Sequence, residues 1–117
     1  MAVIQFIKGI NESTLPSVYI TRSRDGTTGT ATFRFVDAEL LRPQVFMEGE
    51  VLGMSLLDKE GQLFTSSISV RFVNGKTRSI EVIYIIKTFP QWERFIRFMK
   101  RYASVNGLTF VKPKSFS

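Results

Sequence analysis

Apolar and polar residues alternate along most of the chain, and the period changes once, near the C-terminal end. Residues 2–7 open with an apolar-rich run that predicts a first strand. Over residues 18–24, Val18, Ile20 and Arg22 fall on one face and Tyr19, Thr21 and Ser23 on the other. Residues 29–36 repeat the alternation, with Ala31, Phe33 and Phe35 against Thr30, Thr32 and Arg34. Placing Ile20 opposite Phe33 joins the two apolar faces. It leaves Asp25-Gly26-Thr27-Thr28 as a four-residue loop, with Asp and Gly where turn chemistry wants them. Tyr19 then opposes Arg34, and Thr21 opposes Thr32. Residues 11–17 read as a polar connection. Residues 37–47 read as irregular, with a helical turn over 38–42 that Pro43 stops.

Three further strands are predicted as a meander: 51–57 presenting Leu52, Met54 and Leu56; 64–72 presenting Phe64, Ile68, Val70 and Phe72; and 78–88 presenting Ile80, Val82, Tyr84 and Ile86. Facing decides the register, because a slip of one residue turns every side chain over. A two-residue turn at Asn74-Gly75 would set Val70 against Ser79. A three-residue loop, Asn74-Gly75-Lys76, sets Val70 against Ile80 and Ile68 against Val82, and this longer loop is expected. The same logic makes Lys59-Glu60-Gly61 a three-residue loop that opposes Leu56 with Phe64.

The period then becomes helical. Residues 90–105 carry Trp92, Phe95, Ile96, Met99, Tyr102 and Ala103 on one face and Glu93, Arg94, Arg97, Lys100 and Arg101 on the other. Pro90 suits a first turn, Thr88 with Gln91 resembles a capping box, and Gly107 is a stop. A short strand over 108–111 and a flexible tail over 112–117 complete the expectation. The fold class is α+β: one domain over residues 1–117, mainly antiparallel β-sheet in two hairpin or meander units, with one C-terminal amphipathic α-helix packed on it.

Composition narrows the chemistry. The 117 residues include no Cys and no His. Disulfide scaffolds, Cys or His metal sites, Cys nucleophiles and His-based acid–base catalysis are therefore excluded. Sixteen Lys plus Arg against ten Asp plus Glu give a net charge of +6, which favours anionic partners. The longest uninterrupted apolar stretch, 82–86, is far too short to span a bilayer. The opening has neither a signal peptide's basic start nor a long enough apolar run.

Few places invite a function. Arg22, Arg24, Asp25, Gly26 and Thr27 gather charge and turn chemistry at one hairpin tip, where Arg forks suit carboxylate recognition. The competing reading is a solvated turn with a local Arg–Asp contact. Residues 25–30 are Gly-rich but lack phosphate-loop spacing and any Lys. The basic helix face reads first as a solvated surface with a Glu93–Arg97 pair, worth ~0.3–0.5 kcal/mol. Ile83 and Ile85 point away from the core, and cover by the first hairpin or the tail is expected. A sheet edge, foremost the strand over 77–87 or its neighbour, offers backbone groups to a partner strand, and the same edges allow a homodimer.

The run T-R-S-R-D-G-T-T-G-T-A-T-F-R-F, residues 21–35, resembles the signature of the photosystem II assembly-factor family known as the reaction-centre 28 kDa protein. The opening I-Q-F-I-K-G-I, the F-V-N-G-K turn, and W-E-R-F-I-R-F-M-K-R-Y-A followed by N-G-L agree with it, over nearly the whole chain. The cationic helix face and Phe89-Pro90 depart from the usual pattern, as in a basic, divergent paralogue. The resemblance implies a non-enzymatic extrinsic protein without cofactor or metal, peripheral to the thylakoid membrane on its cytoplasmic (stromal) side. It implies transient binding to photosystem II assembly intermediates, near the inner antenna and reaction-centre subunits at the electron-acceptor side, and no nucleic-acid partner. The alternative is a basic nucleic-acid-binding module, which needs stacking rings on an exposed sheet face. A small enzyme ranks last, because no paired carboxylates or activated nucleophile stand at a convincing spacing.

Overall fold

The structure, a computed structural model, describes residues 2–36, 49, 51–73 and 77–108. In chain order the strands are β1 (Val3–Ile7), β2 (Ile10–Asn11), β3 (Ser17–Arg22), β4 (Gly29–Val36), β5 (Met54–Asp58), β6 (Gly61–Thr65), β7 (Ile68–Val73) and β8 (Thr77–Ile86), followed by the helix α1 (Phe89–Val105). They form two four-stranded antiparallel sheets, ordered β2-β1-β5-β6 and β3-β4-β8-β7. The α+β class and the single C-terminal helix are as the pattern predicts. The helical turn over 38–42, the 74–76 loop itself, the strand over 108–111 beyond its first residue, and the tail over 112–117 lie outside the described residues.

The core lies where the two sheets and the helix meet. Ile4, Phe6, Met54 and Leu56 from the first sheet and Ala31, Phe33, Phe35, Ile80, Val82 and Ile86 from the second are buried together with Trp92, Phe95, Ile96, Phe98, Met99 and Tyr102. Each fully buried aromatic or aliphatic side chain contributes ~1.5–3 kcal/mol. Edge-to-face rings tie the layers: Phe6 meets Phe35 across the sheets at 5.1 Å, and Phe33 of β4 meets Phe95 of α1 at 6.1 Å. The helix starts as expected. Thr88 caps it, its Oγ1 accepting from the Gln91 amide at 3.2 Å, while Gln91 Oε1 accepts from the Lys87 amide at 2.9 Å. Gly107, at φ 68°, follows its end.

Four expectations are corrected. First, 64–72 is not one strand. The chain leaves the first sheet after Thr65 and enters the second at Ile68, so the three-strand meander is two hairpins, β5–β6 and β7–β8, in different sheets. At the crossing, Thr65 Oγ1 donates to the Ile83 carbonyl at 2.8 Å, and the Ile83 amide donates to the Ser67 carbonyl at 3.0 Å. Second, β5 begins at Met54, and Leu52 stands exposed before it. Third, β5–β6 closes on two residues, Lys59 and Glu60, with Asp58 opposite Gly61 and Leu56 opposite Leu63. Leu63 therefore packs on the core and Phe64 turns outward, about half exposed. Gly61, at φ 127°, takes the backbone conformation this tighter turn requires. Fourth, the β3–β4 register is slid by two. Val18 opposes Phe33, Ile20 opposes Ala31 and Thr21 opposes Thr30, leaving a six-residue loop over 23–28. The expected β7–β8 register, Val70 with Ile80 and Ile68 with Val82, is observed.

Candidate docking site

The β3–β4 loop is closed by its own side chains. The Ser23 amide donates to the Thr28 carbonyl at 2.9 Å, and the Thr28 amide donates to Ser23 Oγ at 3.1 Å. Asp25 Oδ1 accepts from Ser23 Oγ at 2.7 Å, from the Thr27 amide at 3.0 Å and from Thr27 Oγ1 at 2.8 Å, an Asx turn. The Ser23 hydroxyl first, then Thr27, hold the Asp25 carboxyl down at about 2. Gly26, at φ 77°, makes the left-handed step and is itself buried.

Arg22 joins this loop to the body. Its Nε and Nη2 both donate to the Gly26 carbonyl, at 3.0 and 2.9 Å, and its guanidinium lies 4.5 Å from the centre of the Trp92 ring. Gly29 permits that approach. A Cβ there would meet the Thr21 carbonyl oxygen and stand 3.0 Å from the Trp92 ring. Of the five residues singled out from sequence, Arg22, Asp25, Gly26 and Thr27 therefore build the tip. Arg24 is exposed at its apex, and no described residue binds its side chain.

A second constellation was not foreseen. Arg94 grips Asp58 with two bonds, Nη1 to Oδ2 at 2.9 Å and Nη2 to Oδ1 at 2.6 Å, and Arg101 Nη1 donates to Asp58 Oδ2 at 2.9 Å. Arg97 forks onto Glu60 at 2.8 and 2.9 Å, and Arg101 also reaches Glu60. The Asp58 side chain is fully buried by these contacts. Burial pushes its carboxyl up, but the bonds from Arg94 and Arg101 outweigh that and hold it below the usual carboxylate range. Arg97 and then Arg101 hold Glu60 at about 2. The basic helix face is thus largely a clamp onto the β5–β6 turn, and Arg97 pairs with Glu60 where a pair with Glu93 was expected. The signal was present: 94, 97 and 101 fall on one helical stripe, and acids flank the turn.

The strand expected as a free edge is not one. β8 lies between β4 and β7, and the edges of its sheet are β3 and its neighbour β7. The first hairpin does not cover Ile83 and Ile85, and the tail lies outside the described residues. With Tyr19, the most exposed large apolar side chain among the described residues at 70%, they mark the outer face of this sheet. An open groove of about 540 Å³ crosses the outer face of the first sheet. Lys8 is the ionisable residue among its described lining, so no acid–base pair faces it. Among the described residues no cluster of three acids is placed to hold a metal ion, and no helix is long and apolar enough to cross a membrane.

The family model described as Psb28 protein matches residues 4–110. This chain belongs to that family. It is 54% identical over 112 residues to the photosystem II reaction center Psb28 protein of Guillardia theta, covering 96% of this chain and 97% of that one. It is 53% identical over 115 residues to the protein of the same name in Pyropia yezoensis, covering 98% and 100%. It is 47% identical over 117 residues to that of Cyanophora paradoxa, again covering 98% and 100%. The Psb28 match spans both the hairpin tip and the clamped helix.

Proposed function

We propose that this Psb28-family chain is a non-enzymatic, extrinsic assembly or repair factor of photosystem II. It binds transiently to the cytoplasmic (stromal) face of assembly intermediates, near the inner antenna and the electron-acceptor side, as a peripheral protein of the thylakoid membrane. Docking uses the hairpin tip, with Arg24 as the presented cation and Arg22, Asp25, Gly26 and Thr27 holding it in place. An edge of the second sheet, β7 beside β8, pairs with a partner strand. By occupying that surface, the protein sterically limits premature electron transfer.

The observation that carries this reading is the tip itself. A self-bonded loop, fastened to the buried Trp92 by Arg22, presents Arg24 from a pre-ordered backbone, so a binding contact there has only the Arg24 side chain left to order. Full-length kinship with proteins named for the photosystem II reaction center supports photosystem II as the partner. The nucleic-acid reading finds one exposed ring, Tyr19, among the described residues of the second sheet's outer face. Affinity purification of the tagged chain from thylakoids should recover photosystem II subunits, with more from cells stalled before the second antenna protein attaches. Recovery of none from either source would overturn the proposal.

A further inference from the structure

Charge is unevenly divided along the chain. Residues 1–93 hold ten basic and ten acidic side chains, while residues 94–117 hold six basic and no acidic ones. The whole net charge of +6 therefore resides in the last stretch. Three of its cations, Arg94, Arg97 and Arg101, are already forked onto Asp58 and Glu60. The described cations left over at this end are lysines. Lys100 of α1 and Lys59 of the β5–β6 turn line, with Arg101, Ser104 and Val105, a shallow basin of about 340 Å³. Val105 of this basin is 56% exposed, and Leu108, three residues further along the chain, is 43% exposed. The sequence after Leu108 reads T-F-V-K-P-K-S-F-S, adding aromatic and basic residues and no carboxylate.

The chemistry of these residues selects a partner. An acidic protein surface is best recognised by arginine forks, and here the forks are turned inward. Lysine is a mobile point charge that suits a diffuse negative potential. Exposed aliphatics beside lysines gain from a headgroup–acyl boundary, where a soluble anion would leave them in water. We propose that this end of the molecule, built on Lys59, Lys100, Val105 and Leu108, seats the protein on an anionic lipid bilayer surface. Along the helical rise, Lys100 and Val105 stand ~12 Å and ~20 Å beyond Trp92, on which Arg22 packs. A lipid contact here and a protein contact at the hairpin tip can therefore be made at once.

Co-sedimentation of the full chain with phosphatidylcholine vesicles, with and without phosphatidylglycerol, tests the inference. Binding is expected only with phosphatidylglycerol, and it should weaken as salt is raised. Replacing Lys59→Gln and Lys100→Gln together should lower partitioning about 25-fold, at about fivefold per lysine. Leu108→Ser should weaken binding without changing its salt dependence. All three side chains are solvent-facing, and circular dichroism would verify that the variants fold. Equal sedimentation with both lipids, no sedimentation with either, or unchanged partitioning of the Lys59/Lys100 variant would overturn the inference. So would capture by immobilised polyglutamate without vesicle binding, which would assign the basin to an acidic protein. The vesicles contain no photosystem II protein, so failure here and failure of the assembly-factor reading are separate results.

Discussion

The β3–β4 loop and the β5–β6 turn are both ordered by carboxylates, yet to opposite ends. Asp25 bonds only to neighbours within two residues, so the loop closes on itself and Arg24 is left over. Asp58 and Glu60 reach across the chain to Arg94, Arg97 and Arg101, so the turn is fused to the helix and the arginines are consumed. Local satisfaction frees a cation for a partner; long-range satisfaction turns cations into structure. A count of surface charge would have treated the two alike. Both aspartates close an Asx turn, Asp25 on the Thr27 amide and Asp58 on the Glu60 amide, each at 3.0 Å. The difference is that guanidinium groups of the helix also stand beside Asp58 and Glu60 and make that turn the centre of a network.

Cutting the long-range network should have the largest effect. Asp58→Ala leaves Arg94 and Arg101 without the buried carboxylate they share, and removing one partner of such a group costs ~3 kcal/mol. Urea unfolding should show a loss of that size, read as a midpoint lowered by ~1–3 M. A loss below ~0.5 kcal/mol would mean that the helix is held by its apolar face alone. Gly29→Ala probes the local side. Its Cβ would press on the Thr21 carbonyl and the Trp92 ring, and overpacking of this kind costs ~1–3 kcal/mol. Because the chain has a single Trp, its fluorescence reports the displacement directly.

What the sequence could reveal follows the same division. The β7–β8 register was legible because Ser69 and Glu81 separate the apolar positions, which excludes a slip of one residue, and the three-residue loop length chooses among the registers that keep the facing. Leu63 and Phe64 are adjacent and both apolar, so a slip of one residue exchanges which is inside, and the pattern cannot choose. The β3–β4 hairpin slid by two, which preserves every facing; only the Asx turn and the Arg22–Gly26 bonds decide it. The break at Ser66-Ser67 is marked by the polar run Thr65-Ser66-Ser67, which interrupts the alternation between Phe64 and Ile68, but a run of Thr and Ser is also compatible with one continuous strand. The tip residues were legible as turn chemistry. The two halves of the clamp, an arginine stripe and an acidic turn, were each visible, but their pairing was not, because Arg94 and Asp58 are 36 residues apart and no local rule pairs them.

Acid should dissolve both networks in one window, with different consequences. Asp25 and Glu60 are both held at about 2, below their ordinary 3.8 and 4.5. A depressed carboxyl contributes stability that is fully present above its unfolded pKa and is lost as pH falls through the folded value. Between about pH 4.5 and 2, protonation of Glu60 should loosen the turn–helix clamp and lower the thermal midpoint. Protonation of Asp25 should shift the Thr27 amide resonance while leaving the core signals in place. A Thr27 titration centred near 3.8 would show that the loop is not pre-ordered in solution.

Arg24→Glu should have the smallest effect on the fold and the sharpest on the comparison. Its side chain is exposed and no described residue binds it, so stability should change by less than ~0.5 kcal/mol. Reversing a charge at a docking contact, in contrast, slows encounter and sets like charges together. Recovery of photosystem II subunits by the tagged variant should fall well below that of the parent, while Asp25→Asn should weaken recovery only as far as it loosens the loop. If Arg24→Glu bound as well as the parent, the order of the tip would serve the hairpin alone. The free cation would then have no more function than any solvated surface charge, and docking would rest on the sheet edge at β7.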